Sequence, residues 1–435
     1  MSHEGMQREM AVHLTSEHKA RLMAGGAIIS IVILLAASVI LGFYLPITRD
    51  EVHHWPVALL FGGGLPSIEV LASYRAGPGP LSYLIWGNLH AIGAELWLLR
   101  TTSMMFLILA AAGLIRLARS LQASSTAIML AFIVLQPYVF INGFLLLTDA
   151  LALALAAWAL CWVLEGVKTG HAKYWMLSGV AIAALLYTRQ PYVVIPVGLA
   201  LTALLRKQWR TEAFATAALS LAAFGPLFAL WGGFSTLTVQ RSTAWKPEHF
   251  NHLLAWLSFF FWPYLLTRAK WTKPQSGLLW LVPAACLGLL TAGFLPASRL
   301  RGAGVMDHLV LLTGRLGPDW LPYGLYGILW AGGAVITSHV AFEGWSNPVR
   351  RPFLIMAVCA AGLPAICPIW WERHFIPAYL LVGILAWTEP LRRRWIAIGW
   401  LVIVGLLTMT HLGDVVAEGL WNTEVIGLLL EGLGG

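Results

Sequence analysis

Apolar residues along this chain gather into long runs, and the polar residues fall in the intervals between them. A helix of roughly 20 apolar residues covers the hydrocarbon of a bilayer, so the runs read as membrane spans. They lie at about 22–45, 98–117, 124–146, 150–166, 174–188, 191–205, 213–232, 250–267, 276–295, 321–342, 352–370, 375–389 and 395–412. The pattern predicts an all-α polytopic integral membrane protein with about 13 transmembrane helices. The runs at 174–188 and 191–205 are short for a full crossing, which re-entry or a locally thinned membrane would accommodate. The longest polar interval, 46–97, contains Gly62-Gly63-Gly64-Leu65-Pro66 and Gly77-Pro78-Gly79-Pro80, which interrupt any long helix. Between those breaks, Asp50 to Leu60 and Leu81 to Ile92 are expected to form short helices lying at the membrane surface.

Charge then orients the pattern. Arg8, Lys19 and Arg21 precede the first run and place residues 1–21 in the cytoplasm, because Lys and Arg collect on that side. Arg116 and Arg119, Lys168 and Lys173, and Arg206, Lys207 and Arg210 fall on the same side. The interval 46–97 and a short tail, 413–435, are therefore expected outside. Of the 435 residues, 59% are apolar and 11% charged, against about 25% charged in a soluble domain. The net charge of +8 follows from topology and does not call for nucleic acid. Cys161, Cys286, Cys359 and Cys367 all sit in apolar runs without metal-ligand spacing and read as core residues. No phosphate-binding GxxxxGK[ST] loop occurs, which argues against nucleotide-driven work.

Five polar clusters remain as candidates for chemistry. Asp50 and Glu51 directly follow the first span, and a carboxylate at the edge of a low-dielectric wall is suited to general-base work. Being adjacent, they point about 100° apart on a helix, so they form no paired dyad; an N-cap followed by a first-turn acid is the structural alternative. His53 and His54 follow at i+3 and i+4 from Asp50, a spacing that admits a metal site but lacks a third local ligand. Asp149 interrupts an apolar stretch after Thr148, where an acid is functional, paired, or in the first turn of the next helix. Arg189-Gln190 stands between two apolar runs, and its guanidinium would bind a phosphate or pair with Asp149. Trp371-Glu372-Arg373-His374 offers cations for phosphate oxygens and a ring for a sugar face, while interfacial anchoring accounts equally for the Trp.

In this order the clusters resemble the polytopic GT-C glycosyltransferases that use polyprenyl-phosphate sugars. The chain is most similar to the dolichyl-phosphate-glucose α-1,2-glucosyltransferase family, which adds the terminal glucose to lipid-linked oligosaccharide. An Asp-Glu-x-x-His element is matched by Asp50-Glu51-Val52-His53-His54, and a Pro-Gly-Leu-Tyr-like segment by Gly77-Pro78-Gly79-Pro80-Leu81-Ser82-Tyr83. Leu99-Arg100, the aromatic stretch from Pro137 to Thr148-Asp149, Arg189-Gln190 and Arg373-His374-Phe375 match further elements. Pro191 and Phe375 depart from the family pattern, and residues beyond about 200 match poorly until 367–380.

The resemblance implies a GT-C module over 22–210, followed by a more variable transmembrane module over 211–412. It implies an inverting hexosyl transfer, with glucose as first expectation, from a polyprenyl-phosphate donor to a lipid-linked or extracytoplasmic acceptor. Asp50 would be the base with Glu51 beside it, and Arg189, Arg373 and His374 would hold the donor phosphate. His53, His54, Arg100, Asp149, Gln190, Trp371 and Glu372 would line the substrate site. No cofactor or metal is required by that scheme. The rival reading is a transporter or flippase of an amphipathic lipid-linked substrate, since intramembrane charge also marks transport pathways.

Overall fold

The structure is a computed structural model. Besides Ala36, it describes residues 45–235, 247–267, 309–366, 372–387 and 394–433, apart from 46, 49, 124–125, 206, 208, 310–312, 316 and 319. The side chains of 247, 248, 267, 365, 366, 372, 373 and all residues beyond 417 are outside that description. The expected spans at 22–45 and 276–295 therefore lie outside the described residues.

Every regular element among the described residues is helical. Three short helices fill the long polar interval: α1 (Glu51–Leu60), α2 (Ile68–Ser73) and α3 (Leu81–Ala91). Helices α1 and α3 agree with the expected surface helices, whereas α2 occupies a stretch read only as a break. Its start is explained by Ser67, whose side chain accepts from the Val70 N–H at 3.3 Å and caps the first turn. Helix α3 lies close on α1 because Gly87 has no side chain; a Cβ there would meet the Ala58 carbonyl at 2.4 Å.

The bundle proper follows: α4 (Leu96–Ser120), α5 (Thr126–Val134), α6 (Pro137–Phe144), α7 (Asp149–Thr169), α8 (Ala172–Leu186), α9 (Val194–Leu205) and α10 (Arg210–Trp231). The run at 124–146 is not one straight helix. Proline cannot donate a backbone hydrogen bond, so Pro137 starts a new helix, capped by the Gln136 side chain, and α5 and α6 meet at a bend of 66°. Gly170 and Gly232 take positive φ and end α7 and α10.

In the C-terminal half, α11 (Pro247–Thr267), α12 (Leu321–Ser346), α13 (Arg351–Gly362), α14 (Ile376–Ala386) and α15 (Arg394–Leu433) complete the described elements. Helix α15 runs on past residue 412, where the sequence led us to expect a tail. The two halves are joined by packing. Gly198 of α9 rests on Met356 of α13, and the Tyr379 hydroxyl donates to the Phe132 carbonyl at 2.6 Å.

Among the described residues, five helices are long and apolar enough to cross a membrane, or six if the bent α5–α6 pair is one span. Shorter apolar helices stand at 172–186, 190–205, 351–362 and 376–386. Helix α4 exposes Met105, Ile108 and Leu109 on one side while burying Leu107, Leu114 and Leu117 on the other. Exposed aliphatic faces on long helices suit lipid contact. The chain is a multi-pass integral membrane protein.

Candidate active site

The polar groups that the sequence scatters over 100 positions converge at one end of the N-terminal half. Helices α4 and α7 begin there, α6 and α8 end there, and α1 lies alongside. Two buried ion pairs organise this end.

The first is Glu51 with Arg100, both nearly inaccessible. Arg100 Nε donates to Glu51 Oε1 at 2.9 Å and Nη2 donates to Oε2 at 2.5 Å, a bidentate fork. The Leu146 N–H donates to the same Oε1 at 2.7 Å, and the Thr48 N–H to Oε2 at 3.1 Å. Each carboxylate oxygen thus accepts two bonds. Arg100 Nη1 donates to the Leu45 carbonyl at 2.6 Å. One side chain therefore fastens the head of α1 to α4 and to the 145–148 connection. Of the two roles open to Glu51, orienting the loop or bonding the acceptor, its filled acceptor sites fit the first, with Arg100 as its partner.

The second pair is Asp149 with Arg189. Arg189 Nη2 donates to Asp149 Oδ1 at 2.6 Å, and Asn142 Nδ2 donates to Oδ2 at 3.2 Å. Of the alternatives open for Arg189, pairing with Asp149 is the one the structure contains. Thr148 takes the N-cap position without capping; its hydroxyl is buried and makes no hydrogen bond. The Gln190 amide nitrogen, next to Arg189, is likewise buried without a partner. Polar groups left this way are costly in an apolar setting.

The Gly-Pro segment secures the turn that carries Arg189. Gly79 N–H donates to the Thr188 carbonyl and Leu81 N–H to the Tyr187 carbonyl, both at 3.0 Å. A Cβ on Gly79 would come within 2.2 Å of the Tyr187 oxygen, so the close approach requires glycine. At the C-terminal end of α10, Trp231 Nε1 donates to the Leu71 carbonyl at 2.8 Å, tying α10 to α2.

Asp50 heads α1, half-buried, and its backbone carbonyl accepts from the His53 and His54 N–H groups. Its side chain does not cap the helix. The N-cap explanation for this acid is thus not what the geometry contains. His54 turns inward, with Nδ1 at 2.5 Å from the Tyr83 hydroxyl, and belongs to an aromatic core of Phe61, Tyr74, Tyr83 and Trp86. His53 is exposed. The two histidines therefore diverge, and no set of three His, Cys, Asp or Glu among the described residues is gathered for a metal.

His374, half-buried, sits in a 3-10 turn at 372–375 that lies near α6. The backbone of Glu372 and Arg373 belongs to that turn, but their side chains, and the whole of Trp371, lie outside the described residues. Tyr83, Asn142 and the Leu146 N–H were missed by sequence reasoning. Asn142, a lone amide in an apolar run seven residues before Asp149, carried a legible signal. A backbone N–H carries none.

Residues 77–231 match the family described as dolichyl-phosphate-mannose-protein mannosyltransferase. The matched segment takes in Arg100, Asn142, Asp149, Arg189 and Gln190, and stops short of Asp50 and Glu51. It supports a glycosyltransferase of the GT-C superfamily. No curated protein matches the chain. Among solved structures, ArnT from Cupriavidus metallidurans in the apo state aligns over 89% of this chain and 78% of its own, at 12% identity and a TM-score of 0.35. That superposition is too loose to pair residues.

Proposed function

We propose that the chain is an inverting hexosyltransferase that takes its sugar from a polyprenyl-phosphate donor, with Asp50 as the general base. The observation that carries this reading is the Glu51 clamp. It holds α1 against the segment that matches a glycosyltransferase family, through both Arg100 and Leu146, and leaves Asp50 at the head of the helix.

In this mechanism Asp50 accepts the proton of an acceptor hydroxyl. The oxygen forms a bond to the anomeric carbon from the face opposite the phosphate, and the bond from that carbon to the phosphate oxygen breaks. Polyprenyl phosphate leaves with the electron pair, so configuration inverts. A phosphate leaving group needs no proton from a general acid. It does need its charge balanced, and cations aimed at developing charge lower the barrier. Arg189, with Arg373 and His374, is assigned that role, and Asp149 fixes the Arg189 guanidinium in place. Gln190 and Thr148 hydrogen-bond the sugar. The residues present complete these steps without a metal.

The matched family's description names mannose, whereas the motif resemblance points to glucose, so hexose is the level at which the donor is proposed. The acceptor is a lipid-linked or extracytoplasmic hydroxyl compound, and the site lies on the extracytoplasmic face.

The test is sugar transfer in membranes carrying the wild type or Asp50→Asn, supplied with radiolabelled polyprenyl-phosphate glucose, mannose and galactose. Loss of a general base costs about 10²- to 10⁴-fold in rate. The wild type is expected to release free polyprenyl phosphate from one donor, and the variant to lose that release at equal membrane abundance. Equal consumption by both proteins would show that Asp50 is not the base.

A further inference from the structure

Helix α1 has two working faces. Successive residues turn by about 100°, so Glu51 points to Arg100 while Val52, His53, Pro56, Val57 and Leu60 point away from it. On that second side is a cleft of about 410 Å³, closed by Val70, Ser73, Tyr74 and Arg75 from α2 and the residues after it. This volume is within the range of about 300–1,000 Å³ usual for small-molecule sites.

The cleft is built for an amphipathic occupant. Its floor is apolar, with Val57 buried and the buried Tyr74 ring fixed by its hydroxyl bond to the Pro78 carbonyl at 2.6 Å. In its wall Val52 and Leu60 are 49 and 56% exposed, bare aliphatics that suit the membrane interface. An occupant arriving there comes from the lipid phase. At the rim stand Arg75 and His53, both exposed, and neither side chain makes a hydrogen bond or ion pair among the described residues. Glu69 at the head of α2, beside Val70, is engaged by Ser67, whose hydrogen bond holds its carboxyl below the usual carboxylate range.

We infer that this cleft binds a phosphate-bearing lipid, with its chain on Val52, Val57, Leu60 and Val70 and its anionic head on Arg75 and His53.

The experiment uses the full chain in phosphatidylcholine nanodiscs containing a trace of photoactivatable phosphatidic acid or, separately, photoactivatable phosphatidylcholine. Crosslinks are mapped by mass spectrometry. Phosphatidic acid is expected to label residues 52–60 and 70–75 about fivefold more than phosphatidylcholine, the ratio expected from one cation beside an anionic head. Arg75→Gln should remove that preference, and Leu60→Trp should reduce labelling by filling the cleft. Equal labelling by the two lipids, or an unchanged preference in Arg75→Gln, overturns phosphate recognition. None of these readouts depends on turnover, so failure of the hexosyltransferase reading appears separately, as absent donor consumption.

Discussion

The two halves of the chain bury polar chemistry differently. In residues 45–231 the interior encloses two ion pairs, Glu51 with Arg100 and Asp149 with Arg189, the only pairs between two buried side chains among the described residues. In the described residues of 247–417 the interior is built from rings and close backbone contacts. Trp256 lies edge-on to Phe260, Phe375 and Tyr379, and Trp387 stacks at 4.6 Å on Phe132 of the other half. Gly333 lets the Leu254 carbonyl approach so closely that a Cβ would stand 1.9 Å from it. A buried ion pair is a poor way to gain stability, because desolvation offsets much of the attraction. Among the described residues such pairs occur in the N-terminal half, where they orient the head of α1 and the turn that carries Arg189, while the described part of the C-terminal half is a ring-packed scaffold.

The sharpest way to break this comparison is to remove one member of the first pair. Arg100→Met leaves Glu51 ionised, buried and without its fork, a change that costs about 3–5 kcal/mol when one partner of a buried pair is lost. The expected outcome is a large fall in thermal stability of the detergent-solubilised protein, with disordering of the α1 head. Pairing Arg100→Met with Glu51→Leu should recover most of the stability but not donor consumption, because the Leu146 and Thr48 bonds that set α1 are lost. Recovery of both together would mean that the pair is merely structural, as in the scaffold half.

Glycine substitutions compare the halves at equal steric insult. Gly79→Ala and Gly333→Ala both drive a methyl into a carbonyl oxygen, and overpacking of this kind costs about 1–3 kcal/mol. Both variants should melt lower. Gly79→Ala should also slow transfer per folded molecule, because it displaces the Tyr187–Thr188 turn that carries Arg189, whereas Gly333→Ala should leave the folded fraction's turnover unchanged. Thermal melts alongside radiolabelled donor consumption, normalised to folded protein, separate the two effects.

What could be read from the sequence divides along physical lines. The helical membrane architecture was legible because a 20-residue apolar run has one economical fate in a bilayer, whereas the bend at Pro137 went unread inside the run at 124–146. That an acid at 149 and a cation at 189 would need partners was legible from the cost of charge near hydrocarbon. Their partners were only half legible. Asp149 with Arg189 stood among the alternatives, but Glu51 with Arg100 did not, since the two look alike as isolated polar residues and only the fold shows that one acid is saturated. His53 and His54 illustrate the same limit, being neighbours in sequence and on opposite sides of α1. The cleft beside α1 was invisible, because it depends on how α2, itself unforeseen, lies against α1.

The smallest expected effect concerns His54 and Tyr83, where the aromatic core beneath α1 most resembles the ring packing of the C-terminal half. Tyr83→Phe keeps the ring and its contacts with Phe61 and Tyr74 but removes the hydroxyl 2.5 Å from His54 Nδ1. Losing one partner of a buried hydrogen bond costs about 1–3 kcal/mol, and the polarity of the imidazole places the effect toward the lower end if the ring can turn. If the core beneath α1 is scaffold, stability falls by that small amount and donor consumption per folded molecule is unchanged. If His54 instead tunes the head of α1, the variant alters the pH profile of transfer as well, because a histidine that loses its hydroxyl partner titrates differently. A shifted profile with near-normal stability would move the boundary between scaffold and site one helix deeper than the ion pairs place it.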